Sequence, residues 1–201
     1  MGDLIKLLEA LPALVLSLLG VAAFFLLRPQ ITAAIDRLQG FEGFGIKVTM
    51  QALAEAARQR QAPLAGADSA VIEARLKRAG RDLQGVEILW VDDTPAGNRH
   101  EARLFQTLGA IVTCAASTEE ALWAIGSAPA ERGFRLILSD IERQGPRDGL
   151  DMLARLRGDG LRMPVIFYVG TAQQPPPEGA QGIADRPDAL VGLVLDALGV
   201  A

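Results

Sequence analysis

Cysteine and histidine are almost missing from this chain: its 201 residues include one of each, Cys114 and His100. A single cysteine excludes an intrachain disulfide, and one histidine leaves no Cys/His set from which a zinc site could be built. Both absences argue for a reducing compartment and against a small secreted scaffold. Basic charge is also short. Lys and Arg number 20 against 24 Asp and Glu, for a formal net charge of −4, and the arginines are scattered. Without a dense cationic patch to neutralise phosphates, no nucleic-acid partner is expected. Aromatic residues make up only 5%, yet half of all residues are hydrophobic and the mean hydropathy is +0.23. The apolar excess therefore comes from Leu, Ala, Val and Ile.

Much of that excess has one location. Residues 10–27 carry no charge, and a run of this length is long enough to cross a hydrocarbon core as a helix. Pro12 is tolerable within the first turns. A signal peptide is disfavoured by the acidic Asp3 and Glu9 beside Lys6, and by the lack of a small-x-small cleavage site after Leu27. A buried soluble helix is the other alternative. Arg28, Arg37 and Lys47 come after the span whereas only Lys6 and the α-amino group precede it, so the positive-inside rule places the C-terminal side in the cytoplasm. The expectation is a single-pass protein of the inner (cytoplasmic) membrane, with residues 1–28 as its anchor.

Residues 29–84 read as a juxtamembrane and helical linker. The stretch 28–40 continues as helix to Gly40, 41–49 is punctuated by glycine, and Met50 to Arg60 is rich in alanine and helical by propensity. A break at 62–69 contains Pro63 and Gly66. A second helix is predicted from Val71 to Leu83, with Ile72, Leu76, Ala79 and Leu83 spaced 4, 3 and 4 apart. That is the seam of a coiled coil, over fewer heptads than a firm assignment needs. It reads equally as a homodimerising helix or as one packed on the neighbouring domain.

From Gly85 the pattern alternates between strands and helices. Strands are predicted at Val86–Val91, Ala110–Ala115, Arg135–Ser139, Pro164–Val169 and, more weakly, Gly182–Asp185. Thr94 and Pro95 form an N-cap and N1 pair opening a helix to Leu108. Ser117 with Glu120 forms a capping box for a helix burying Ala121, Leu122 and Ile125. Gly149–Arg157 is helical, and Asp188 caps a last helix with Leu190, Leu193, Val194, Ala197 and Leu198 on one face. Residues 85–201 are thus expected to form an α/β domain, a doubly wound, flavodoxin-like five-stranded parallel sheet of order 2-1-3-4-5. Trp90 and Trp123 are read as core, Cys114 as a small buried hydrophobe and His100 as a surface residue.

In such a sheet ligands bind beyond the carboxyl ends of the strands, at the switch in strand order. Asp92 and Asp93 end the first strand and Asp140 the third, so three carboxylates meet in one crevice. Like charges so close are costly unless a cation shares them. Mg²⁺ fits, being a hard ion that takes a few carboxylates and keeps several waters. An Asp beside it is a credible phosphoryl acceptor. The plain alternative is that acidic strand ends are merely solvated.

Residues 85–198 resemble the receiver domain of bacterial two-component response regulators. The matching pieces are ILWVDD at 88–93, LILSD at 136–140, DGL at 148–150, PVIFYV at 164–169 and GAQGIADRP at 179–187. The resemblance implies a metal site from Asp92, Asp93, Asp140 and the main chain of Glu142, and a phosphoacceptor role for Asp140. It implies as partners a histidine kinase or phosphotransfer protein and a further protein target, with no separate catalytic domain. Three positions depart from the pattern. Arg186 stands where receivers carry a lysine, Val169 where they carry Thr or Ser, and Ile183 where they carry a switch aromatic. The proline run 175–177 also excludes an ordinary fourth helix. A pseudo-receiver that signals without phosphorylation is the first alternative, and a Mg²⁺-dependent phosphohydrolase the second.

Overall fold

A computed structural model of the chain describes residues 48–59, 61, 66–79, 82–129, 133–172 and 175–200. The apolar run 10–27 and all of 28–47 lie outside them. Among the described residues no helix is long and apolar enough to cross a membrane. All of the described residues belong to one compact unit, Gly45–Ala201.

Within that unit, helices α1 (48–59) and α2 (Gly66–Ala79) precede β1 (Glu87–Val91). After β1 come α3 (Arg99–Thr107), β2 (Ile111–Ala115), α4 (Thr118–Ser127), β3 (Leu136–Ser139), α5 (Asp148–Gly158), β4 (Val165–Tyr168), β5 (Gly182–Ala184) and α6 (Pro187–Ala197). The five strands form one sheet, order β2-β1-β3-β4-β5, and every pairing is parallel. The fold expected from residues 85–201 is the one found.

Side chains of a strand alternate between faces, and both faces here are covered. Ile88, Trp90, Leu136, Leu138, Ile166 and Tyr168 enter one core, with Leu104 and Phe105 of α3 and Leu190, Val191, Val194 and Leu195 of α6. Leu89, Val91, Ile137, Val165 and Phe167 enter the other, with Ala121 of α4 and Met152, Leu153 and Leu156 of α5. That is why β1, β3 and β4 read as unbroken apolar runs. In the first core the Tyr168 hydroxyl donates to the buried Glu101 carboxylate at 2.8 Å.

Two of the sequence expectations differ in burial. β2 has a strand neighbour on one side only, and Cys114 on it is exposed rather than buried. Trp123 on α4 is 72% exposed and is not core. Two caps differ as well. Thr94 makes no side-chain cap; residues Pro95–Asn98 form a tight 3-10 turn before α3 begins. Asp188 lies inside the first turn of α6, whose N-cap is Arg186. The predicted cap at Ser117 is present, its Oγ accepting from the Glu120 N–H at 3.1 Å, while the Glu120 side chain reaches one residue past the cap and accepts from the Ala116 N–H at 2.6 Å. No described residue between β4 and β5 is helical, as the proline run requires. Arg157 of α5 ties that segment to the loop before β4, donating to the Gly179 carbonyl at 3.0 Å and to the carbonyls of Leu161 and Met163, which precede β4, at 2.8 and 3.1 Å.

α2 starts earlier and ends earlier than its apolar spacing suggested, yet three of the four seam residues are buried. Ile72, Leu76 and Leu83 sit in the first core with Leu53 of α1. Arg75 fastens α2 to the end of α6, donating to Asp196 Oδ1 at 2.7 Å and to the Val200 carbonyl at 3.0 Å. The structure thus gives this apolar row an intramolecular partner. Leu76→Ala should cost about 2–5 kcal/mol, the range for a cavity left in a packed core. Urea unfolding checks this, together with sedimentation. A shift in oligomer size with no loss of stability would instead return the seam to an intermolecular coil.

Candidate functional site

β1 and β3 are paired in register up to Val91 opposite Ser139. The ladder runs one step further, because the Asp140 N–H donates to the Val91 carbonyl at 3.1 Å. On the other side the Asp92 N–H donates to the Ala115 carbonyl at 2.9 Å. Extending the register by one residue sets Asp92 beside Asp140 on the same face, with backbones about 4.8 Å apart. The two carboxylates meet because two adjacent parallel strands end at the same level.

Local structure holds each of them. Asp92 is buried, at 7% exposure, and its oxygens accept from the Thr94 N–H at 2.6 Å and from the Asn98 side-chain amide. The tight turn at Pro95–Asn98 brings that amide back. Asp140 Oδ1 accepts from the Ile141 N–H at 2.7 Å, and the Glu142 N–H also supports this carboxylate. Gly149, on the first turn of α5, lets the helix approach the loop after Asp140. A Cβ there would meet the Asp140 carbonyl, and Ile141 Cα at 2.8 Å. That accounts for the glycine of the DGL motif.

Burial pushes the Asp140 carboxyl above its ordinary value, and the charge of Asp92 adds to the rise. The Ile141 and Glu142 N–H groups and the Arg143 guanidinium pull in the other direction. Asp93 is exposed and accepts from the Thr94 hydroxyl at 3.3 Å. Among the described residues no three of His, Cys, Asp and Glu come close enough to enclose a metal ion; Asp92 and Asp140 end paired strands side by side, and Asp93 stands exposed next to Asp92. The donor chemistry still suits a hard cation. Two neighbouring carboxylates, one of them short of compensating charge, match an ion that keeps most of its waters.

Arg186 forms a two-point pair with the buried Asp188, Nε to Oδ1 at 3.1 Å and Nη2 to Oδ2. The cation acting on Asp140 among the described residues is Arg143, which no sequence pattern singled out. Its only signal there was its place three residues after Asp140, in a loop whose course no periodicity reports. Val169 comes directly after β4, giving its N–H to the Ala184 carbonyl at 2.9 Å. Thr171 is exposed, and Ile183 is buried in the second core. His100 Nε2 accepts from Arg99 Nε at 3.2 Å.

No protein-family model matches the chain, and no curated protein matches it. Among solved structures it is similar to CheY-like response regulator receiver domains. The chemotaxis response regulator CheY4 of Vibrio cholerae is 19% identical over 57% of this chain and 99% of its own, with a TM-score of 0.48. A receiver domain protein of Methanospirillum hungatei is 24% identical over 58% and 95%, with a TM-score of 0.47. TrrA of Thermotoga maritima, solved in complex with Mg²⁺-BeF, is 22% identical over 56% and 98%, with a TM-score of 0.47.

Because the fold raises the Asp140 pKa, the stability this group contributes is full when it is protonated and is lost as pH rises through the raised value. Asp140→Asn should therefore melt above the parent protein at neutral pH. The gap should close as pH falls toward 3.8, the ordinary carboxylate value. Thermal unfolding followed across that range tests it, and an Asn variant that melts lower at neutral pH refutes it.

Proposed function

We propose that the chain is a membrane-anchored, response-regulator-like receiver in phosphorelay signalling, accepting a phosphoryl group on Asp140. The observation that carries this reading is the pairing of Asp92 with Asp140 at the carboxyl ends of β1 and β3. It sits in a sheet of order 2-1-3-4-5, at the strand ends where such folds bind ligands.

In the proposed step a carboxylate oxygen of Asp140 attacks the phosphorus of a phosphohistidine on a histidine kinase or phosphotransfer protein. The P–N bond breaks with its electron pair going to the donor imidazole, which leaves a mixed anhydride on Asp140. The Ile141 and Glu142 N–H groups orient the attacking carboxylate, and Asn98 and the Thr94 N–H fix Asp92 beside it. Asp92, Asp93, Asp140 and the Glu142 carbonyl are the groups that would hold Mg²⁺, which would supply positive charge to the transferring oxygens. The product is a signalling state read by protein contact, so the domain is a signalling module without a turnover reaction of its own. The uncharged run 10–27 with Arg28, Arg37 and Lys47 after it supports a single span of the inner membrane with the α/β domain in the cytoplasm.

The full chain in detergent, incubated with Mg²⁺ and a small phosphodonor, should gain the mass of one phosphoryl group, and Asp140→Ala should abolish the gain. No adduct with any phosphodonor or with beryllofluoride would instead point to a phosphorylation-independent binding module, and rapid turnover of phosphomonoesters to a hydrolase. Deleting residues 1–28 should end carbonate-resistant membrane association; its persistence would remove the anchor.

A further inference from the structure

We propose that Arg143 is the built-in cation of the acidic crevice and a positioning residue that joins Asp140 to the first turn of α4. Three contacts define its place. Nη1 donates to Ser139 Oγ at 2.6 Å and to the Asp140 main-chain carbonyl at 3.0 Å. Nη2 donates to Thr118 Oγ1 at 2.7 Å. Ser139 is fully buried and sends its own hydroxyl hydrogen to the same Asp140 carbonyl, at 2.8 Å. One guanidinium thus spans the end of β3 and the start of α4.

The surroundings give this fork a role beyond packing. Its charge acts on four carboxylates, Asp148, Asp140, Asp93 and Asp92, and among the described residues it is the cation that acts on Asp140. Arg186, the arginine at the receiver lysine position, is engaged with Asp188. Arg143 also lines a cleft of about 480 Å³ between the first turn of α4, the loop after β3 and α5, with Thr118, Gln144, Gly145 and Asp151; Asp140 is not among its lining residues, so the guanidinium stands between this cleft and the acceptor. A planar, partly exposed guanidinium that already reaches the Asp140 main chain is suited to meet the oxygens of an anion on that residue through two parallel hydrogen bonds. The same charge opposes entry of a divalent cation. Arg143 therefore has opposite effects on the two ligands of the site: it weakens binding of the metal alone and strengthens binding of an anion on Asp140. An anion drawing the guanidinium toward Asp140 competes with its bond to Thr118, so α4 senses the state of the acceptor.

The test uses the full chain in detergent with two probes. Magnesium alone, titrated by calorimetry, should bind Arg143→Ala about tenfold more tightly than the parent, the effect of removing one partly screened charge at short range. Arg147→Ala, which removes an exposed cation of the same loop paired with Asp151, should change affinity by less than about twofold under the same screening. Arg143→Lys keeps the charge and loses the fork. It should hold magnesium like the parent, yet weaken the beryllofluoride adduct, followed by ¹⁹F NMR, by about tenfold, the loss of a bidentate contact. Unchanged magnesium affinity in Arg143→Ala, or equal shifts in Arg143→Ala and Arg147→Ala, overturns the proposal. So does a Lys variant that matches the parent with both probes. The beryllofluoride arm rests on the acceptor role of Asp140: a parent protein that takes no beryllofluoride defeats that role, while the magnesium arm still decides the place of Arg143. If Arg143→Ala fails to fold, the Lys variant decides.

Discussion

β1 and β3 lie side by side in parallel, Ile88 to Val91 against Leu136 to Ser139, and both strands are buried on both faces. The site depends on that contact. Parallel strands in register end at one level, so the residues just beyond them, Asp92 and Asp140, are forced together. The energy that holds two like charges at that separation comes from elsewhere: from the apolar side chains above and below, which fix the register at roughly 25 cal/mol per Å² of buried surface. A slip of one residue would turn every one of those side chains to the wrong face. The acidic pair is therefore a consequence of core packing, which also raises the Asp140 pKa, first by burying the carboxyl and then by holding Asp92 beside it.

The same sheet recruits chain that precedes it. α6 presents Leu190, Val191, Val194 and Leu195 to the first core, and Leu53, Ile72, Leu76 and Leu83 from the preceding segments complete it. The compact unit accordingly begins near Gly45 and not at the first strand. On the opposite face the connection from β4 to β5 passes through described residues that are not helical. Ala172 and Ala180 pack on the second core, and the Arg157 bond to the Gly179 carbonyl ties the segment to α5. An irregular connection can stand in for a helix where its backbone groups find such partners.

Much of this was legible beforehand. The strands were visible as apolar runs, because a strand buried on both faces has no polar positions to interrupt it. The Ser117–Glu120 cap was visible because its residues lie three apart and act on the backbone beside them. Asp92 and Asp140 could be placed from strand ends and strand order. What misled were positions whose burial depends on neighbours distant in sequence. Cys114 and Trp123 are apolar residues in the right pattern, yet β2 is an edge and α4 leaves Trp123 in solvent.

The sequence by itself therefore determined the elements, the strand order it implied, and which two carboxylates stand at the ends of β1 and β3. Only the tertiary structure decided the partners of the long side chains. It gave Arg143 to Thr118, 25 residues away, Arg75 to Asp196, 121 residues away, and Arg186 to Asp188. The reason is physical. Backbone period and capping act over a few residues and leave a local mark on the sequence. A guanidinium on a flexible stem takes whichever acceptors the folded loops bring within reach, and loop course carries no period to read.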